Sequence, residues 1–145
     1  SHQYHGRPGA RPGRGWVMVR SRYLTPEHLI LALKAGDFYA SSGVVLDDVR
    51  FDATQRELSL AIQPAAEASY RTEFIAVLKP DQQVTSLETL PGGTVVATVD
   101  GLNPSYRLTG NELYVRALVT SSLPHVDPSL EQQKQQAWTQ PVGWR

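Results

Sequence analysis

The chain has 145 residues, 41% of them hydrophobic and 19% charged, with a formal net charge of zero at pH 7. That is the size of one domain around one core, and no apolar run approaches the roughly 20 residues that span a bilayer, which predicts a soluble chain with no membrane partner. There is no cysteine, so disulfides and thiolate metal sites are excluded, while the compartment stays open because that absence fits cytosol and exterior alike.

Taken in order, the chain opens with an arm rich in Gly, Pro and Arg. Residues 1–24 carry Arg7, Arg11, Arg14, Arg20 and Arg22 and no acid, whereas the remainder holds nine Lys and Arg against fourteen Asp and Glu. The arm has no apolar segment of the kind a secretory signal needs. Basic arms can dock on phosphate, but these arginines are not interleaved with stacking aromatics, and the acidic body would repel the same polyanion. The expectation is no nucleic-acid partner and an arm lying on its own acidic body or on a neighbouring domain.

After a short strand comes one helix over 25–35. Thr25 is a favoured N-cap, Pro26 suits the first helical position, and Leu24 is placed to staple onto Leu29, while Gly36 supplies the stop. Leu29, Ile30 and Leu33 form one apolar stripe that must face something.

Beyond Gly36 the period becomes two. Val49 and Phe51 alternate with charged residues, and Leu58, Leu60 and Ile62 alternate with Ser59, Ala61 and Gln63, so a hairpin is predicted across 53–55. Tyr70 to Lys79 is apolar on both faces near its end, as a central strand is. Further strands are predicted at Thr94 to Val99 after Pro91-Gly92-Gly93, at Leu113 to Thr120 after Thr109-Gly110-Asn111, and at Ala137 to Val142. Residues 123–136, with two prolines and four glutamines, read as a long mobile loop. Short strands separated by turns, with no helix between them, predict a mainly β fold: an antiparallel immunoglobulin-like β-sandwich preceded by the basic arm and one short α-helix.

Catalytic patterns are sparse. Four histidines are present. His2 and His5 have a spacing that shares an ion on a helix, but Gly6, Pro8 and Gly9 oppose a helix there. His28 reads as a cap neighbour and His125 as a solvated loop residue. Asp47 and Asp48 are adjacent, so on a strand they point to opposite faces and read as surface charges rather than a carboxylate pair. Ser41-Ser42-Gly43 lacks the GxSxG pattern and reads as a turn, and the glycines of the arm match no phosphate-binding loop. Tyr39, Tyr114 and Trp138, with Trp16, could line a sugar groove, although such rings more often fill a core or an interface.

The words these residues form say more. SHQYHGRPGARPGRGWVMVRSRYLTPEHLILALKAGDFYASSGVVLDDV closely resembles the end of the catalytic domain of PHP-type metal-dependent phosphoesterases, particularly the CehA/McbA-like group, in its glycine-rich loop, GW-x-x-V, amphipathic helix and G-x-F/Y-Y-A-S-x-G. ELYVRALVTSS and AWTQPV look like the C-terminal extension of those proteins. The resemblance implies that residues 1–36 end a PHP-like catalytic domain and 37–145 form a C-terminal sandwich. It implies that His2 is the histidine of a D-x-H metal-ligand pair whose other ligands lie upstream, in a parent enzyme using zinc or manganese to activate water. One imidazole cannot organise such a site, so this chain alone is expected to be inactive, with no cofactor of its own and with the preceding catalytic domain as its partner. Two roles stay open for the sandwich: a structural lid, which predicts an exposed apolar patch and self-association, or a carbohydrate- or protein-binding module, which predicts a concave aromatic groove.

Overall fold

A computed structural model describes residues 12–79 and 93–143. In chain order the elements are β1 (Trp16–Val19), α1 (Pro26–Ala35), β2 (Phe38–Ser41), β3 (Leu46–Asp52), β4 (Glu57–Ile62), β5 (Tyr70–Leu78), β6 (Thr94–Asp100), β7 (Ser105–Arg107), β8 (Glu112–Pro124) and β9 (Lys134–Thr139). They form two antiparallel sheets, a larger one in the order β1-β2-β9-β8-β5-β6 and a smaller one in the order β3-β4-β7. The molecule is therefore mainly β, a two-sheet sandwich with one short helix.

The alternation that predicts the strands also selects the core. Along β4, Leu58, Leu60 and Ile62 are buried while their neighbours are partly exposed, and along β5 Tyr70, Thr72, Phe74 and Ala76 take the same face. Val115, Ala117 and Val119 of β8 lie directly opposite Ala76, Phe74 and Thr72 and are likewise buried. Between the layers Phe74 stacks on Tyr106 with ring centroids 5.5 Å apart. Each such large side chain, withdrawn from water, contributes about 2 kcal/mol. β5 is central, with β6 on one side and β8 on the other, and Val77 is buried on the opposite face, as its two-sided apolar pattern predicts.

The hairpin between β3 and β4 is closed by Asp52, whose Oδ1 accepts from the N–H groups of Thr54 and Gln55 at 2.8 and 2.9 Å. Near its start β3 carries a bulge, so the ladder passes from the pair Leu46 and Ile62 to the pair Asp48 and Ala61. Asp47 and Asp48 are both exposed.

Thr25 caps α1 in an extended conformation, its hydroxyl accepting from the His28 N–H, and Gly36 ends the helix at φ 80°, a left-handed value that a side chain would strain. The staple does not form. Leu24 is 90% exposed and so cannot pack on Leu29. Within the helix only Ala32 is fully buried, and its packing is against β1.

β1 is hydrogen-bonded to β2 in the register Trp16 to Ser41 through Val19 to Phe38. A boundary after residue 36 would thus pass between two paired strands of one sheet.

The stretch 123–136 corrects the expectation of a long loop. β8 runs on to Pro124, which pairs with Lys134 of β9 across a shift in register. The residues between are closed by main-chain bonds from His125 to Gln133 and from Gln133 to Leu130, and by the Gln133 side chain accepting from Ser129. Glutamine here supplies a carbonyl to a tight connection rather than polar filler for an open one. β2 and β7 carry too few residues to show a period and escape the sequence pattern.

Candidate functional site

Of the residues singled out from the sequence, His2 and His5 lie outside the described residues, as does the rest of the arm up to residue 11. Arg14 and Arg20 are described, and both meet acids of the body. Arg14 Nε donates to the main-chain oxygen of Asp127 at 2.7 Å and stands 3.8 Å from its carboxylate, and Arg20 pairs with Asp48. These contacts follow the charge asymmetry between arm and body.

His125 is buried rather than solvated, only 5% exposed. Its Nδ1 accepts from the Asp127 N–H at 3.0 Å, so the proton sits on Nε2, which donates to the Arg14 carbonyl at 2.8 Å. Both ring nitrogens are committed to main chain, and the imidazole ties the arm to the β8–β9 connection. His28 lies 2.8 Å from the Thr25 hydroxyl and edge-on to Tyr23 with centroids 4.9 Å apart, so it belongs to the cap. Among the described residues no three His, Cys, Asp or Glu side chains stand together where they could hold a metal ion.

Ser41 and Gly43 form a turn: Ser41 Oγ donates to the Val44 carbonyl at 2.6 Å and accepts from the Gly43 N–H at 3.0 Å. Gly43 has φ 143°, and a Cβ there would fall 2.6 Å from the Gln135 side chain. The hydroxyl is spent on chain reversal and faces no base.

The three aromatic candidates do not meet. Tyr39 faces the core, opposite Thr139, whereas the next pair in the ladder, Ala40 and Trp138, lies on the outer face of the larger sheet. Trp138 is opposite Leu118 of β8, and Tyr114 lies four residues away along that strand, roughly 13 Å at strand rise. No concave aromatic groove results from these three rings.

The most charged interior feature is one the sequence pattern missed. Glu112 is almost wholly buried. It accepts from the Tyr106 hydroxyl at 2.6 Å, the Thr109 hydroxyl at 2.9 Å and the Gly110 N–H at 3.0 Å. Burial alone would raise its pKa, but these hydrogen bonds outweigh it and hold the carboxyl at about 2. Burial, and then the bond to Glu112, push the Tyr106 phenol up to about 12. Every acceptor position in use faces a donor, so the cluster fastens the turn before β8 to β7. The signal for it is Thr109-Gly110 just ahead of an acid, an arrangement that hydrogen-bonds a carboxylate to its own turn.

Two surface features remain. One is a cleft of about 860 Å³ between the edges of the sheets, with Met18, Tyr39, Val49 and Phe51 on its walls and Arg50 and Arg56 among its charged groups. The other is an apolar surface on β1 and α1: Trp16, Val17, Ile30, Leu31 and Leu33 are all more than 40% exposed, Leu31 at 63%. No described helix is long and apolar enough to cross a membrane.

Compared with family models, with curated proteins and with solved structures, the chain finds no match in any of the three.

Proposed function

We propose that this chain is the C-terminal β-sandwich, of immunoglobulin-like character, of a PHP-type metal-dependent phosphoesterase, with a structural or substrate-gating role and no catalysis of its own. The observation that supports this reading is the apolar surface of β1 and α1. A helix whose Leu31 and Leu33 face water, beside a strand that exposes Trp16 and Val17, calls for cover by another body. In the proposed reading that body is the catalytic domain preceding the sandwich, and His2 closes its metal-ligand set.

Two measurements test it. With manganese and bis(p-nitrophenyl) phosphate, the chain is expected to show no metal-dependent turnover above that of its His2→Ala variant. Reading the coding sequence upstream of Ser1 should reveal an aspartate two positions before His2, behind a barrel-length segment with an HxH near its start. An upstream sequence of another kind overturns the assignment. A carbohydrate- or protein-binding module is the second reading: of the three rings it rests on, Tyr39 lies on the wall of the cleft with Phe51, while Tyr114 and Trp138 stand apart on the outer face.

A further inference from the structure

Arg14 lies just ahead of β1, yet the groups that hold it are 111 and 113 residues further along the chain. Its carbonyl accepts from His125 Nε2 at 2.8 Å, its Nε donates to the Asp127 main-chain oxygen, and its side chain is only 16% exposed. These contacts fasten the arm to the β8–β9 connection at the point where the chain enters the larger sheet, since β1 begins at Trp16. The connection is itself tied down. His125 N–H donates to the Gln133 carbonyl, and Lys134 Nζ donates to the Ser122 carbonyl at 2.8 Å.

The imidazole can serve both of its partners in one protonation state alone. Nδ1 must present a lone pair to the Asp127 N–H at 3.0 Å, while Nε2 must carry the proton that reaches the Arg14 carbonyl. A second proton would make Nδ1 a donor and set it against the Asp127 N–H, replacing a hydrogen bond with two opposed donors at a residue only 5% exposed. Among the described residues, the charged groups on the elements around the ring are Arg14 on the arm, Asp127 and Glu131 on the connection and Lys134 on β9. Arg14 and Asp127 stand 3.8 Å apart and offset one another, Glu131 is exposed, and Lys134 is bound at Ser122. The opposed donors are relieved when the ring turns out to water, and that movement gives up the Arg14 carbonyl.

We propose that His125 is a pH-sensitive latch: neutral, it clamps the arm at Arg14 to the β8–β9 connection, and protonated, it lets the arm go. Imidazole switches of this kind work between about pH 8 and 5. The open state is the one that binds the extra proton, so linkage makes acid favour release and neutral pH favour closure. Both halves of the latch belong to this chain, so the inference stands or fails separately from the phosphoesterase reading. Where a catalytic domain precedes the arm, the latch decides whether its tether is fixed to the sandwich or free.

Trypsin reads the latch directly. Arg7 and Arg11 are each followed by proline, which blocks cleavage, so Arg14–Gly15 is the first susceptible bond. Cutting there requires the guanidinium to leave Asp127 for the protease. With rates normalised at each pH to a small arginine amide, cleavage after Arg14 in the full chain should be slow at pH 8 and rise at least fivefold by pH 6. Cleavage after Arg22, outside the latch, should change less than twofold. His125→Gln has no proton to gain, and its cleavage after Arg14 should be equal at the two pH values, with thermal melting as the check on folding. In the unsubstituted chain, nitrogen-15 NMR should find the Nε2–H tautomer of His125 at pH 8, and the Asp127 and Gly15 amides should shift along the titration of that ring. The latch is refuted by an Nδ1–H tautomer at pH 8, by cleavage after Arg14 that does not change with pH, or by a rise in acid that persists in His125→Gln, which would assign the switch to another group.

Discussion

Glu112 shows how much one side chain can decide. Its carboxyl is held at about 2 in the folded protein against an ordinary value of 4.5, so the folded state favours the charged form. That contribution, on the order of 3 kcal/mol, is present above pH 4.5 and drains away as the pH falls towards 2. Glu112→Gln is expected to melt below the parent at pH 7 and to converge with it near pH 2, as thermal denaturation across that range would reveal. Tyr106 loses its share at the other extreme, as the pH rises from 10 towards 12, because its folded value is raised. Thr72 makes the opposite case: its hydroxyl is buried on β5, between β6 and β8, with no hydrogen-bond partner among the described residues. Thr72→Val removes that desolvated group at nearly constant shape and should stabilise by about 1 kcal/mol, read as a higher denaturant midpoint with an unchanged slope. The turn ahead of Glu112 is legible in the sequence, but the burial of either group is not. A threonine in an alternating strand and an acid after a turn look ordinary until the opposite layer is in place.

At the scale of elements, local chemistry accounts for α1 almost completely. The cap at Thr25, the proline after it and the glycine at the end all act as their positions predict, and Thr25→Ala should cost about 1 kcal/mol in chemical denaturation. The hydrophobic staple fails because Leu24 is directed to solvent, a choice made by where the chain enters from β1 rather than by the spacing of Leu24 and Leu29. β4, β5 and β8 were legible because long alternation commits one face to burial. β2 and β7 were not: with four and three residues, their existence is decided by partners β9 and β4 far along the chain. The segment 123–136 misleads for a related reason, since its glutamines and prolines have a loop composition and only the closure by His125 and Gln133 turns them into a compact strand connection.

For the molecule as a whole, the uneven sheets matter most. Six strands facing three leave β1 and the outer edge of β3 as borders of a cleft. Because β1 is paired to β2, a chain beginning at residue 37 would expose β2 as a new edge. Its melting temperature is expected to fall by about 5 °C or more relative to the full chain. Sedimentation velocity should also find weak self-association of the full chain through β1 and α1, diminished in a Val17→Glu, Leu31→Glu double variant that melts at the parent's temperature. Association unaffected by those charges would place the contact elsewhere.

By itself the sequence determined the class of structure, the helix and its ends, the central place of β5 and most of the core, because each is written in local periodicity and capping chemistry. The tertiary structure alone decided that His125 is buried, that Glu112 is caged by donors, that Tyr39 turns inward, and that Val49 and Phe51 line a cleft between the sheets. Those outcomes depend on which strand lies beside which, and that is settled by closure between residues distant in the chain rather than by any pattern of neighbours.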